Sequence, residues 1–270
     1  MITAVNHVAF AADDPQQAAA DYELVLGRKP LIYNADDGRT LHRFQLDNIA
    51  FEITRAAPGG AGLQRVGFEV DDMAATVRKL GRRGLSCETP LGEHWRAGDG
   101  GAIERTVTPI STATTHGIGI ALVATARSEG TPLLAAAQAV TAIDHLVIRS
   151  PNPERAIALY GGRLGLDFAL DRTNPDWGSR LLFFMCGGVR VEIGHSLAKG
   201  ISNEPDQFSG LAWRVGDASA AQQRLQGSGV QTSDAKKGRR PGSQVLTVRS
   251  NTCNVPTIFL SETPRDEAAA

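Results

Sequence analysis

Four short segments of the chain, starting near residues 4, 64, 142 and 209, are wholly apolar or alternate apolar with polar positions. That pattern over so few residues predicts a strand each time. A helix start follows every one. Asp14-Pro15 and Asn152-Pro153 put a capping side chain before a proline at the first helical position, and Asp72 and Asp217 are the corresponding caps of the other two segments. The helices are predicted to end at Gly27, Gly84, Gly165 and Gly229, each suited to a left-handed C-terminal position. Further strand-like runs come next, with hairpin turns predicted at Asp47-Asn48 and Gly187-Gly188. The unit is a strand, a helix and about three strands, four times over.

Two of these units repeat the other two. AVNHVAF (4–10) aligns with AIDHLVI (142–148) at an offset of 138, which sets His7 on His145 and Tyr22 on Tyr160. LHRFQLDNIAFEIT (41–54) aligns with LLFFMCGGVRVEIG (181–194) at an offset of 140, which sets Phe44 on Phe184 and Glu52 on Glu192. QRVGFEVDD (64–72) aligns with SGLAWRVGD (209–217) at an offset of 145. So many matches in order predict a duplicated half of about 125 residues. The expected domains are residues 1–125 and 141–263, joined by an Ala-rich linker at 126–140 and followed by a frayed tail at 264–270.

Composition agrees with two ordinary domains: 270 residues, 42% of them hydrophobic, suffice for two real cores. Lys+Arg 28 against Asp+Glu 29 leaves no overall field for nucleic acid. No apolar run is long enough to span a bilayer, and the N-terminus shows no basic-then-apolar leader. These features predict a cytoplasmic protein, monomer or homodimer, whose partner is a small molecule rather than nucleic acid or membrane. Cys87, Cys186 and Cys253, odd in number and far apart, point to neither a disulfide framework nor a thiolate zinc site.

Four βαβββ modules, with a His near the end of a first strand and a Glu in a fourth, resemble the vicinal oxygen chelate superfamily. Glyoxalase I, extradiol dioxygenases, methylmalonyl-CoA epimerase and bleomycin- or fosfomycin-resistance proteins belong to it. The resemblance rests on VNHVAF, GFEVDD, IDHLVI and LAWRVGD and covers nearly the whole chain. It implies an α+β fold of four βαβββ modules paired into two half-open mixed β-sheet barrels with helices outside. It also implies metal ligands from the first and last strands of the modules. Carried over by position, these are His7 with Glu52, and His145 with Glu192. The matching positions of modules two and four fall on Arg65 and Gly210 in the first strands and, to within a residue, on Ala121 and Phe259 in the last. None of these four binds a divalent cation in the usual way. Each domain therefore keeps two ligands of the three or four expected, which argues against a ring-cleaving dioxygenase. One divalent metal (Zn, Ni, Mn, Co or Fe) and no metal at all both stay open. A complete His/Glu/His/Glu set would arise if module one faced module three, or across a dimer.

Alternation along the strands predicts what surrounds these residues. Glu52 lies opposite Arg43 across the Asp47-Asn48 turn, with Arg65 nearby. In the second half His145 shares a face with Val147 and Arg149, and Gly210 with Arg214. Across the Gly187-Gly188 turn Glu192 lies opposite Phe183, with Met185 and Arg190 alongside. The candidate catalytic residues are His145, Glu192, His7 and Glu52. The candidate substrate contacts are Arg43, Arg65, Arg149, Phe183, Met185, Arg190, Arg214 and Phe259. An aromatic wall facing arginines suits a small anionic or aromatic molecule.

Three readings stay open: a metal-assisted enzyme, a metal-free lyase or isomerase using His145 and Glu192, and a binding or resistance protein that sequesters its ligand between modules. The lyase or isomerase type is favoured, with the second domain as the active half. Either histidine can equally be an inherited core residue bonded to a carboxylate. His42, His94, His116 and His195 lack ligand spacing and are expected in turns or on the surface, with His94-Trp95 in a long loop able to cover a cavity mouth. Lys236-Lys237-Gly238-Arg239-Arg240 reads as a solvated hairpin or, alternatively, a phosphate contact.

Overall fold

The computed structural model describes residues 1–130 and 135–262. Residues 131–134 of the expected linker and the whole of the expected tail lie outside the described residues.

The first half contributes β1 (Ile2–Ala12), α1 (Pro15–Leu26), β2 (Leu31–Asn34), β3 (Thr40–Gln45), β4 (Ala50–Arg55), β5 (Gly62–Val70), α2 (Met73–Arg82), β6 (Leu91–Ala97), β7 (Ala102–Ile110) and β8 (Ile120–Ser128). The second contributes β9 (Ala142–Arg149), α3 (Pro153–Ala156), β10 (Asp167–Asn174), β11 (Ser179–Cys186), β12 (Val189–Ser196), β13 (Gln207–Arg214), α4 (Ala218–Gly227), β14 (Lys236–Lys237), β15 (Ser243–Val248) and β16 (Thr257–Glu262). This is the α+β succession of four βαβββ modules that the sequence predicts. The four expected caps accept hydrogen bonds from first-turn amides, Asp14 from Gln16 and Gln17, Asp72 from Ala75, Asn152 from Arg155, and Asp217 from Ser219 and Ala220. Gly27, Gly84, Gly165 and Gly229 all have left-handed φ, between 70° and 79°. The third helix departs from α geometry after one turn and winds as a π-helix over Ile157–Leu164. The adjacent Gly161 and Gly162, lacking Cβ atoms, allow that widening.

Modules pair consecutively. Strands β1 to β8 close into a barrel, in the order β1-β4-β3-β2-β6-β7-β8-β5. Strands β9 to β16 form an eight-stranded sheet, β10-β11-β12-β9-β13-β16-β15-β14. Module one therefore does not face module three, and the first barrel is closed rather than half-open. Its seam is sealed by β2 pairing with β6, Tyr33 against Ala97 and Asn34 against Arg96. The equivalent strands of the second domain, β10 and the two-residue β14, are not paired with each other among the described residues. The second barrel stays open along that seam.

One apolar core runs through both domains. Phe51 of β4 meets Trp213 of β13 edge-on at 5.6 Å, and Tyr22 of α1 packs 4.6 Å from Phe51. The Tyr22 hydroxyl donates to the Thr252 carbonyl at 3.1 Å. Arg224 of α4 donates to the carbonyls of Leu24 (2.6 Å) and Val25 (2.7 Å), filling acceptors that the end of α1 leaves open.

Four expectations need correcting here. His42 and His195 lie buried in β3 and β12 rather than at the surface, and His195 Nδ1 is 3.1 Å from the Ser150 carbonyl. His94 and Trp95 belong to β6, so no long loop carries them, and Trp95 is buried. Phe259 is fully buried in the helix-side core rather than on the open face of the sheet. Parallel pairing sets Val147 against Glu192 and Ala212 against Ile258, so Ile258 holds the place equivalent to Glu192. A shift of one residue along a strand exchanges its faces, which is how Phe259 was misplaced.

Candidate active site

A one-residue bulge shapes the setting of each histidine. The β1–β5 register shifts between Val5 and His7, and the β9–β13 register between Ile143 and His145, leaving Asn6 and Asp144 as the extra residues. A bulge re-aims side chains that strict alternation would send to opposite faces. Asn6 Oδ1 thus lies 2.8 Å from His7 Nδ1, and Asp144 Oδ1 lies 2.7 Å from His145 Nδ1. Alternation alone points Asn6 and Asp144 away from their neighbours, so neither is singled out in the sequence.

In the closed first barrel His7 is 0% and Glu52 2% exposed. Arg43 pairs in register with Glu52, as alternation predicts, and donates to its carboxylate. Arg105 of β7 adds two further hydrogen bonds to Glu52, at 2.8 and 2.9 Å, and reaches Glu93 at 2.7 Å. Arg65 does not join Glu52; it lies 4.0 Å from Glu93. Burial works to raise the Glu52 carboxyl, but Arg105, His7 and Arg43 outweigh it and hold the group well below the usual carboxylate range. Burial is also the main force on His7, and Arg105, Arg65 and Arg43 reinforce it against Glu52, so the ring is held neutral. Its Nε2 is 3.8 Å from Glu52 and has no hydrogen-bond partner. Arg105 and Glu93 escape a reading of motifs alone. The available signal is that Ile103, Arg105 and Val107 alternate on one buried face of β7.

These residues do not fit a metal. A divalent cation between His7 and Glu52 would sit beside two guanidinium groups that already neutralise the carboxylate. A cleft of about 490 Å³ opens at one end of this barrel beside Asn6, Arg43 and Gln45, but neither His7 nor Glu52 lines it. Gly67 completes the seal: a Cβ there would come within 2.5 Å of His7 Cε1. Gly67→Ala is expected to lower the unfolding free energy by about 1–3 kcal/mol through overpacking. Denaturant titration measures it, and an unchanged midpoint would show that the His7 ring can yield.

The second domain presents the same pair on an open sheet. The side chains of His145 and Glu192 keep 11% and 16% exposure, and His145 Nε2 lies 3.3 Å from Glu192 Oε2. Both stand on the face away from the helices, because Leu146, Ile148, Val191 and Ile193 take the core side. Phe183 pairs with Glu192 and Met185 with Arg190, as alternation predicts. Arg190 and Arg214 converge on Asp144, the latter at 3.0 Å, so their charge is committed to that carboxylate. Arg149 lies exposed at the end of β9, bonded to Gln207, and is not brought to this group. Burial works to raise Asp144, but its hydrogen bonds with His145 and Arg214 hold it below its ordinary value. Burial raises Glu192 above its ordinary value, and His145 and Arg239 offset this only in part.

This site offers a metal only two donors, His145 Nε2 and Glu192. Gly210 supplies none, Ile258 is apolar, and Asp144 is turned to the other nitrogen of His145. Among the described residues no group of three His, Cys, Asp or Glu is placed to hold a metal ion. The arrangement suits proton transfer: a carboxyl raised toward neutrality touches an imidazole that a buried carboxylate orients.

Residues 144–247 match the sequence profile of the Glyoxalase/Bleomycin resistance protein/Dioxygenase superfamily. No curated protein matches the chain. Among solved structures the chain is similar to a variant of 4-hydroxymandelate synthase from Streptomyces coelicolor, with TM-score 0.68 and 13% identity over 97% of this chain and 93% of that one. It is also similar to a Mn(II)-bound glyoxalase from Novosphingobium aromaticivorans, with TM-score 0.67 and 16% identity over 97% and 82%. A third is BphC, a halotolerant catechol dioxygenase, with TM-score 0.64 and 13% identity over 97% and 87%. At such identities these likenesses show the fold, which spans both domains. No described helix is long and apolar enough to cross a membrane. By the sequence of its second domain, over residues 144–247, this chain is similar to the glyoxalase/bleomycin resistance protein/dioxygenase superfamily, and by the fold of both domains it is similar to these solved structures.

Proposed function

We propose that the protein is a lyase or isomerase working without a resident metal, which moves a proton on a small anionic or aromatic molecule in its second domain. One observation carries this: Glu192 Oε2 stands 3.3 Å from His145 Nε2, while Asp144 holds the far nitrogen at 2.7 Å. Asp144 fixes the ring and favours a proton on Nδ1, leaving Nε2 to share one proton with Glu192. Ionised, Glu192 accepts a proton from a carbon beside a carbonyl group. Protonated, it returns the proton to a neighbouring atom. Half-buried Phe183 and Met185 supply the apolar wall against which an aromatic ring can lie.

The test is hydrogen exchange. Aromatic 2-oxo acids incubated with the protein in deuterated water are expected to gain deuterium at the carbon next to the carbonyl, faster than in buffer, as followed by NMR. Exchange at the buffer rate across 2-oxo and 2-hydroxy acids, or exchange unaltered in His145→Ala, would overturn the proposal. Asp144→Asn keeps the shape of the contact but removes the charge that holds the ring. It is expected to lower kcat about 100-fold or more with KM little changed, and to move the pH profile.

A further inference from the structure

The seam that is closed in the first domain and open in the second carries the same device, with its parts exchanged. In the first domain Arg39, in the β2–β3 turn, lies 5.0 Å from the ring centroid of Trp95 in β6, across strands that are hydrogen-bonded. In the second, the aromatic ring belongs to the other side. Trp177 sits in the β10–β11 connection, and Arg239 of the β14–β15 hairpin lies over its ring at 4.0 Å, with Arg172 of β10 at 5.0 Å. No backbone pairing joins β10 to β14 among the described residues, and the Arg239–Trp177 contact spans the seam. Trp95 is buried at 3%, whereas Trp177 is 39% exposed.

The cations at this seam are unusual in lacking partners. Nearby Arg240 is paired with Glu262, and Arg180 with Asp171 and Glu154. Neither Arg172 nor Arg239 has a carboxylate or hydrogen-bond partner among the described residues, and the exposed Lys236 and Lys237 add charge to the same hairpin. Two uncommitted guanidinium groups on one exposed indole make a place for a flat anion. The ring can stack on the indole, and a carboxylate can take two parallel hydrogen bonds from a guanidinium.

We propose that the open β10/β14 seam binds an aromatic carboxylate, whose ring displaces Arg239 from Trp177 and whose carboxylate is held by Arg239 and Arg172. This rests on the second domain being the active half and names the class of molecule that enters it. Arg239 is also one of the charges that act on Glu192, lowering its carboxyl against the larger effect of burial. Displacing the guanidinium would admit the ring and bring its charge to the carboxylate.

Tryptophan fluorescence tests this directly, because Trp95 and Trp213 are buried and Trp177 is exposed. Phenylacetate is expected to give a saturable change that weakens with added salt. Neutral phenylacetamide, and acetate without a ring, are expected to bind at least about tenfold more weakly. Arg239→Gln should weaken phenylacetate by about tenfold, whereas Arg240→Gln, in the same hairpin but paired elsewhere, should not. Trp177→Leu should remove both the signal and, by calorimetry, most of the affinity. No binding of phenylacetate, equal binding of phenylacetamide, or wild-type affinity in Arg239→Gln would overturn the proposal. Glu192→Gln separates the two ideas: phenylacetate affinity equal to or above the parent's is expected, because a negative charge that acts on Arg239 is removed, and undiminished turnover in that variant would sink the catalytic reading while leaving the binding site standing.

Discussion

Glu192→Gln is expected to abolish catalysed exchange, lowering kcat by about 10²–10⁴-fold with KM little changed. The amide keeps the size of the side chain and its place opposite Phe183 but cannot accept a proton from carbon. Exchange kinetics in deuterated water measure the loss. Turnover within a few-fold of the parent would remove Glu192 from the chemistry. The pH dependence follows from burial, which raises this carboxyl above its ordinary value. A base must be ionised, so activity should climb with pH through a point above the ordinary glutamate value. Stability should run the other way. A carboxyl whose folded value is raised favours the fold while it is protonated, below its unfolded value, and that contribution is lost as pH rises through the folded value. The glutamine variant has no such charge to bury, so at neutral pH it is expected to unfold at the same denaturant concentration as the parent, or higher. Loss of activity with retained or increased stability separates a catalytic group from a structural one.

Arg105→Met is expected to cost about 3–5 kcal/mol of unfolding free energy, measured by denaturant titration. Glu52 is almost wholly enclosed and accepts both parallel bonds of this guanidinium, at 2.8 and 2.9 Å. Without it the Glu52 carboxylate keeps Arg43 as its one guanidinium partner, and Glu93 is left with Trp95 Nε1 at 3.3 Å and Arg65 at 4.0 Å. A loss below about 1 kcal/mol would mean that the site relaxes or admits water. Replacing Glu52 by Gln in the same chain removes the stranded charge, so the double variant should be more stable than additivity predicts. The pH sign is opposite to that of Glu192. The folded value of Glu52 is depressed, so its contribution is present above the unfolded carboxylate value and is lost as pH falls through the folded one. In Arg105→Met the acid-induced loss of stability should therefore shrink.

Much of this architecture is legible in the chain because its causes are local. A cap needs one side chain before a helix, and Asp14, Asp72, Asn152 and Asp217 each bond the amides expected of them. A two-residue turn sets strand register, so Arg43 faces Glu52 and Phe183 faces Glu192 as alternation requires. Alternation fails where an extra residue enters a strand. The bulges at Asn6 and Asp144 depend on how a neighbouring strand is paired, and nothing local announces them. With Asp144 misplaced, Arg190 and Arg214 look like substrate contacts rather than the partners of a buried carboxylate.

By itself the sequence determined the duplication, the four βαβββ modules, their helix ends and the presence of one His and one Glu in each half. Tertiary structure decided which pair is enclosed and which is open. Two strands sealed at Tyr33–Ala97 and Asn34–Arg96 close the first barrel around a fully paired carboxylate, while β10 and β14 stay unpaired with each other among the described residues and leave the second open. The physical reason is that a charge's neighbours come from distant strands. Arg105 lies 53 residues from Glu52 and Arg214 lies 70 from Asp144, separations at which only pairing and closure bring side chains together.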